Sequence, residues 1–97
     1  MNVVRIERIR ERLKDAFDPP VLEIIDEGHM HVGHAGARDG RGHFRIRVVS
    51  SCFQELRLLQ RHRMVYAALA DLLETDVHAL RIEALTPEEV RLVSTSQ

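Results

Sequence analysis

Apolar residues recur at Ile6, Ile9, Leu13 and Phe17, the three-and-four spacing of a helix that buries one stripe. This predicts a helix over Val3 to Phe17. Its other face alternates Arg5, Arg8 and Arg12 with Glu7, Glu11 and Asp15, and such a mixture of attracting and repelling neighbours reads as a solvated surface. Asp18-Pro19-Pro20 ends the helix, because proline lacks the amide donor and turns the residue before it away from helical geometry. Val21 to Asp26 then reads as a strand rich in β-branched residues, closed by Glu27-Gly28.

All five glycines lie between Glu27 and His43, with no apolar periodicity among them. A loop of this length in a small domain is usually functional or mobile. From His43 to Ser50 the alternation is clean: Phe44, Ile46 and Val48 on one face, Arg45 and Arg47 on the other, which predicts a strand with one buried and one wet face. Ser50 or Ser51 begins the next helix, with Gln54 as the capping-box partner of Ser51. Its stripe runs through Leu58, Val65, Leu69 and Leu72, His62 falls on the same stripe, and Glu74-Thr75-Asp76 closes it. A third strand over Val77 to Leu85 sets Val77, Ala79 and Arg81 on one side and His78, Leu80 and Ile82 on the other. Thr86-Pro87-Glu88-Glu89 then starts a short final helix, since threonine caps, proline suits the first helical position and the third-position glutamate reaches back.

The order α-β-β-α-β-α predicts an α+β fold of two layers, a three-stranded sheet with helices on one face. Phe44, Ile46, Val48, Leu58, Val65, Leu69 and Leu80 are expected to share its core. Ninety-seven residues allow one domain and no second core. With 44% hydrophobic and 30% charged residues the chain is neither a disordered tail nor a membrane protein, and no apolar run nears the roughly 20 residues of a membrane span. A net charge of -1 removes the global basicity of a protein held on nucleic acid by charge alone. A local patch of Arg45, Arg47, Arg57, Arg61 and Arg63 is the remaining route, with a solvated arginine face as the alternative. One cysteine, Cys52, excludes an intrachain disulfide, and the absence of a secretory leader leads us to expect a reducing, cytoplasmic setting.

Histidine is the unevenly distributed residue, with His29, His31, His34 and His43 in or beside the glycine-rich loop. Imidazole is both a metal ligand and a proton switch near neutral pH. The spacing lacks the cysteine pairs that make a zinc signal specific, so a closed zinc site is the lesser reading beside a polar loop or a single loop histidine that ligates together with groups from elsewhere. His62 reads as a structural histidine hydrogen-bonded within the core, and Cys52 as a structural thiol without a neighbouring base. Gly33-His34-Ala35-Gly36 matches a GxxG string, but between two strands rather than between the two helices of a KH loop. No catalytic constellation is visible.

Gly42-His43-Phe44, Val48-Val49-Ser50, Phe53, Arg61-His62-Arg63-Met64-Val65-Tyr66, Val77-His78-Ala79-Leu80 and Thr86-Pro87-Glu88-Glu89 resemble, in order and spacing, the signature blocks of BolA-like proteins. One departure is Glu55, where the family commonly carries glycine. The resemblance implies a single BolA-like domain over residues 1–97, similar to class II KH domains, and a non-enzymatic role. It implies a monothiol glutaredoxin partner and a shared [2Fe-2S] cluster, used in cluster trafficking or iron sensing, with apo-proteins as acceptors. Glutaredoxin and glutathione would supply thiolates, and this chain would supply His78 with His34, His43 being the competitor for the loop position; the isolated chain would hold no cluster. Histidine ligation raises cluster potential, as in Rieske centres. Some family members resemble DNA-binding transcriptional regulators, so weak, salt-dependent DNA binding through the arginines is the alternative expectation.

Overall fold

The computed structural model describes residues 3–28 and 42–95. Helix α1 covers Val3–Phe17, strand β1 Val21–Asp26, strand β2 Gly42–Val49, a 3-10 turn Ser51–Phe53, helix α2 Leu58–Ala68, helix α3 Ala70–Thr75, strand β3 Val77–Leu85 and helix α4 Pro87–Thr95. The sheet order is β1-β2-β3, with β1 antiparallel and β3 parallel to β2. This is the expected α+β arrangement, apart from the division of its central helix.

The core forms where the helical stripes meet one face of the sheet. Ile9, Leu13 and Phe17 from α1 pack with Val65, Leu69 and Leu72 from the central helices and with Phe44, Ile46 and Val48 from β2. Leu80 and Ile82 pack against this cluster partly buried. At the end of α1 the backbone turns left-handed at Asp18, with φ 42°, while the Asp18 N–H donates to the Lys14 carbonyl at 2.9 Å. Aspartate tolerates that region better than most residues, and the two prolines prevent the helix from resuming.

The segment after β2 is where the sequence expectation needs correction. Ser50 caps the 3-10 turn, accepting from the Cys52 N–H at 3.1 Å and donating its hydroxyl proton to the Phe17 carbonyl at 2.7 Å. Glu55 then adopts φ 65°, a left-handed conformation that breaks any helix running through it. The long helix therefore starts at Leu58, where Gln60 rather than Gln54 reaches back, its side chain accepting from the Arg57 N–H at 2.9 Å. Because the first inward position of that helix is Arg61, Leu58 is 63% exposed and does not belong to the core. At Leu69 the φ and ψ of -105° and 11° separate α2 from α3.

A second correction lies in β3. Gly42 pairs with Val77 but His43 pairs with Ala79, so β3 carries one extra residue, a β-bulge at His78. The bulge reverses the side-chain alternation once. Val77 is consequently buried in the core with Ala84, instead of sharing the outer side with Ala79 and Arg81, which are exposed.

Candidate functional site

The bulge brings two histidines together. His43 lies on β2, 8% exposed, and His78 is an exposed residue at the start of β3. Their ring centres are 5.2 Å apart with an interplanar angle of 54°. A metal held about 2.1 Å from each coordinating nitrogen lies about 3.2 Å from each ring centre, and a tetrahedral angle then separates the centres by about 5.2 Å. The distance also falls in the range of about 4.5–7 Å for ordinary ring contacts, so it permits ligation without requiring it. Among the described residues no group of three or more histidine, cysteine, aspartate or glutamate side chains could hold a metal ion. The pair thus offers at most two ligands of a larger set. His29, His31, His34 and the GxxG string lie outside the described residues.

Backbone contacts fix the two strands around this pair. The Gly42 N–H donates to the Asp76 carbonyl at 2.9 Å, and the Glu27 N–H donates to the His43 carbonyl at 2.8 Å. Gly42 has no room for a side chain, because a Cβ there would stand 2.5 Å from Cε2 of Phe44. Glu27, 7% exposed, accepts from Nη1 of Arg81 at 3.4 Å.

The arginines do not form a free basic face. Glu23, Arg47 and Glu83 stand in one row across the three strands, with Arg47 2.8 Å from Glu83 and 3.9 Å from Glu23. Arg45 leans toward the same Glu83 at 4.0 Å. Such surface pairs contribute little stability, yet they cancel the positive potential that a phosphate backbone would seek. Arg61 is turned inward, 6% exposed, donating to the carbonyls of Leu56 and Ala84 at 2.9 and 3.0 Å and to Oε1 of Glu89 at 2.7 Å. The hydrogen bond from Arg61, followed by that from the Thr86 N–H, holds the Glu89 carboxyl below the usual carboxylate range. Arg57 and Arg63 are exposed, His62 is half-buried rather than enclosed, and Cys52 is an exposed thiol on the 3-10 turn.

The face of α1 read from sequence as solvated is instead partly tied down. Arg8 reaches Asp76 at 3.1 Å, Arg5 approaches the same carboxylate at 3.5 Å, and Arg12 pairs with Asp71 at 2.9 Å. The Arg12 pairing raises the pKa of that guanidinium and lowers that of Asp71, mainly through their hydrogen bond. Glu7 and Arg10 make a local pair within the helix, at 3.5 Å. The convergence on Asp76 had no local signal, since Arg8 and Asp76 are 68 positions apart.

Comparison with known proteins agrees with the fold. The chain is 47% identical over 88 residues to SufE-like protein 1, chloroplastic/mitochondrial, of Arabidopsis thaliana, covering 86% of this chain and 24% of that protein. It is 45% identical over 83 residues to the DNA-binding transcriptional regulator BolA of Escherichia coli (strain K12), covering 86% and 76%. The solved BolA domain of SufE1 from Arabidopsis thaliana superposes with a TM-score of 0.79 at 45% identity, covering 88% of this chain and 94% of that one. The chain therefore spans about a quarter of the plant relative's length, and none of the helices among the described residues is long and apolar enough to cross a membrane. The family model described as BolA-like protein matches residues 13–89, from the second half of α1 through the capping turn of α4, and on this match the chain belongs to the BolA-like family.

Proposed function

We propose that this protein is a non-enzymatic partner of a monothiol glutaredoxin and that the two share a [2Fe-2S] cluster, carried as cargo for apo-protein acceptors or held as an iron sensor in a reducing compartment. The observation that supports this reading is the exposed His78 standing 5.2 Å from His43. Two imidazoles alone leave the irons short of ligands. The missing thiolates must come from the partner, and the isolated chain is accordingly expected to hold no cluster. His43 is a ligand candidate equal to His34, because its ring already neighbours His78. Imidazole ligation would raise the cluster potential relative to an all-thiolate set.

The test is to mix the protein with cluster-loaded monothiol glutaredoxin and record the visible circular dichroism, measuring the protein contact separately by calorimetry. His78→Ala is expected to abolish the spectral change while the contact survives. Comparing His43→Ala with His34→Ala identifies the second ligand. An unchanged spectral shift from the triple variant would overturn the reading.

The second reading, a DNA-binding regulator, has in its favour the name of the Escherichia coli relative. The pairing of Arg45 and Arg47 with Glu83 and the burial of Arg61 weigh against it. Titration of duplex DNA at two salt concentrations separates the two: binding is expected to be weak and to fall steeply with salt, whereas tight, sequence-dependent binding at physiological salt would make regulation the primary function.

A further inference from the structure

Asp76 is the residue on which three elements converge immediately before the bulge. Its N–H donates to the Leu72 carbonyl at 2.7 Å and so closes α3. Its carbonyl accepts from the Gly42 N–H at 2.9 Å and so starts the pairing of β2 with β3. Its side chain, 9% exposed, accepts from Nη1 of Arg8 at 3.1 and 3.4 Å and lies 3.5 Å from Nε of Arg5. His43 is the residue after Gly42, and His78 stands two residues after Asp76. Both histidines are therefore within two residues of a hydrogen bond made by Asp76.

We infer that Asp76, clamped by Arg5 and Arg8 of α1, is the positioning residue of the His43–His78 pair. A bulge is the part of a ladder least constrained by its own hydrogen bonds, so the extra residue needs an anchor outside the strand. The carboxylate supplies one. With both guanidinium groups against it, Asp76 cannot rotate away without leaving a nearly enclosed charge unpaired, and its carbonyl stays aimed at Gly42. The absence of a side chain at Gly42 lets β2 approach and donate that bond beside the Phe44 ring. The clamp thereby carries the position of α1 to the two imidazoles, and a site of this kind loses function when loosened by about 1 Å.

This inference rests in part on the proposed ligand role, so its first test does not use a cluster. In the isolated 97-residue chain, cross-relaxation between the ring protons of His43 and His78 is measured by NMR in Asp76→Ala, in Arg5→Gln/Arg8→Gln and in the parent. Cross-relaxation falls with the sixth power of distance, so a displacement of about 1 Å from 5.2 Å reduces it about threefold. Both variants are expected to show that loss. Arg12→Gln, which removes the neighbouring exposed pair with Asp71, is expected to leave the signal unchanged. Val65→Ala, a core truncation on α2, serves as the stability control at matched urea midpoint. Unchanged ring signals in Asp76→Ala, or an equal loss in Val65→Ala, would overturn the inference.

The second arm adds cluster-loaded monothiol glutaredoxin. Asp76→Ala is expected to weaken the circular dichroism shift while the protein contact, measured separately by calorimetry, is retained. If His78→Ala leaves the spectrum untouched, the ligand role fails while the NMR arm still decides the positioning role. If the ring signals are lost but the shift in Asp76→Ala matches the parent, Asp76 still positions the rings and it is the ligand role of the pair that fails.

Discussion

Arg61→Ala is the perturbation with the most to say about this fold. The guanidinium is 6% exposed and makes three hydrogen bonds, to the carbonyls of Leu56 and Ala84 and to the Glu89 carboxylate. Truncation would leave two carbonyls without that donor and remove the pairing that links α2 to the start of α4. A hydrogen bond to a charged group contributes about 1.5–3 kcal/mol, and breaking a fully buried ion pair costs about 3–5 kcal/mol. Glu89 is 40% exposed and also accepts from the Thr86 N–H at 2.8 Å, so water and the capping box recover part of the loss. The net cost is placed at about 3 kcal/mol, against a total stability of about 5–15 kcal/mol for a domain of this size. Urea unfolding should show a lower midpoint with an unchanged slope, and thermal unfolding a fall of about 12–24 °C. Arg61→Lys should restore less than half of the difference, because an ammonium cannot reproduce the fork that reaches three acceptors. A loss below about 1 kcal/mol would refute the reasoning, and would return Arg61 to the set of arginines available to a phosphate.

Leu69→Ala, at a fully enclosed position where the two central helices join, is expected to cost about 2–5 kcal/mol in the same urea assay. Gly42→Ala should cost about 1–3 kcal/mol, since the Phe44 ring must give way to the new methyl group; a neutral result would mean that the start of β2 is loose. The Glu89 carboxyl is held below its unfolded value, chiefly by Arg61, so over the interval between the two the unfolded chain binds more protons. Its contribution is thus fully present above the ordinary glutamate range near 4.3 and is lost as pH falls through the lowered folded value. The stability difference between the parent and Glu89→Gln should accordingly shrink on acidification, and a difference that grows below pH 4 would contradict the assignment.

The elements legible along the chain are those whose causes are local. The stripe of Ile9, Leu13 and Phe17, the alternation of Phe44, Ile46 and Val48, and the reciprocal bonds between Thr86 and Glu89 at 2.8 and 3.1 Å follow from backbone period and side-chain reach within a few residues. The family resemblance likewise rested on ordered local blocks. Glu55 shows the limit of this kind of reading: its departure from glycine marked the turn, but only the folded backbone shows the left-handed φ that moves the helix start to Leu58 and leaves that leucine exposed.

What tertiary structure alone decided is pairing between distant positions. The run from Val77 to Leu85 reads equally well with or without an extra residue, because alternation specifies a face only relative to a register. The register with β2 put the bulge at His78, buried Val77 and set His78 beside His43. Charge is governed in the same way. Composition counts arginines and glutamates but not who faces whom, and it is the order of the three strands that aligns Glu23, Arg47 and Glu83. The clamp of Arg5 and Arg8 on Asp76 spans nearly the whole chain, and such a contact exists only once the core has brought α1 against the end of α3, since hydrophobic burial is non-directional and leaves the choice of polar partners to the final packing.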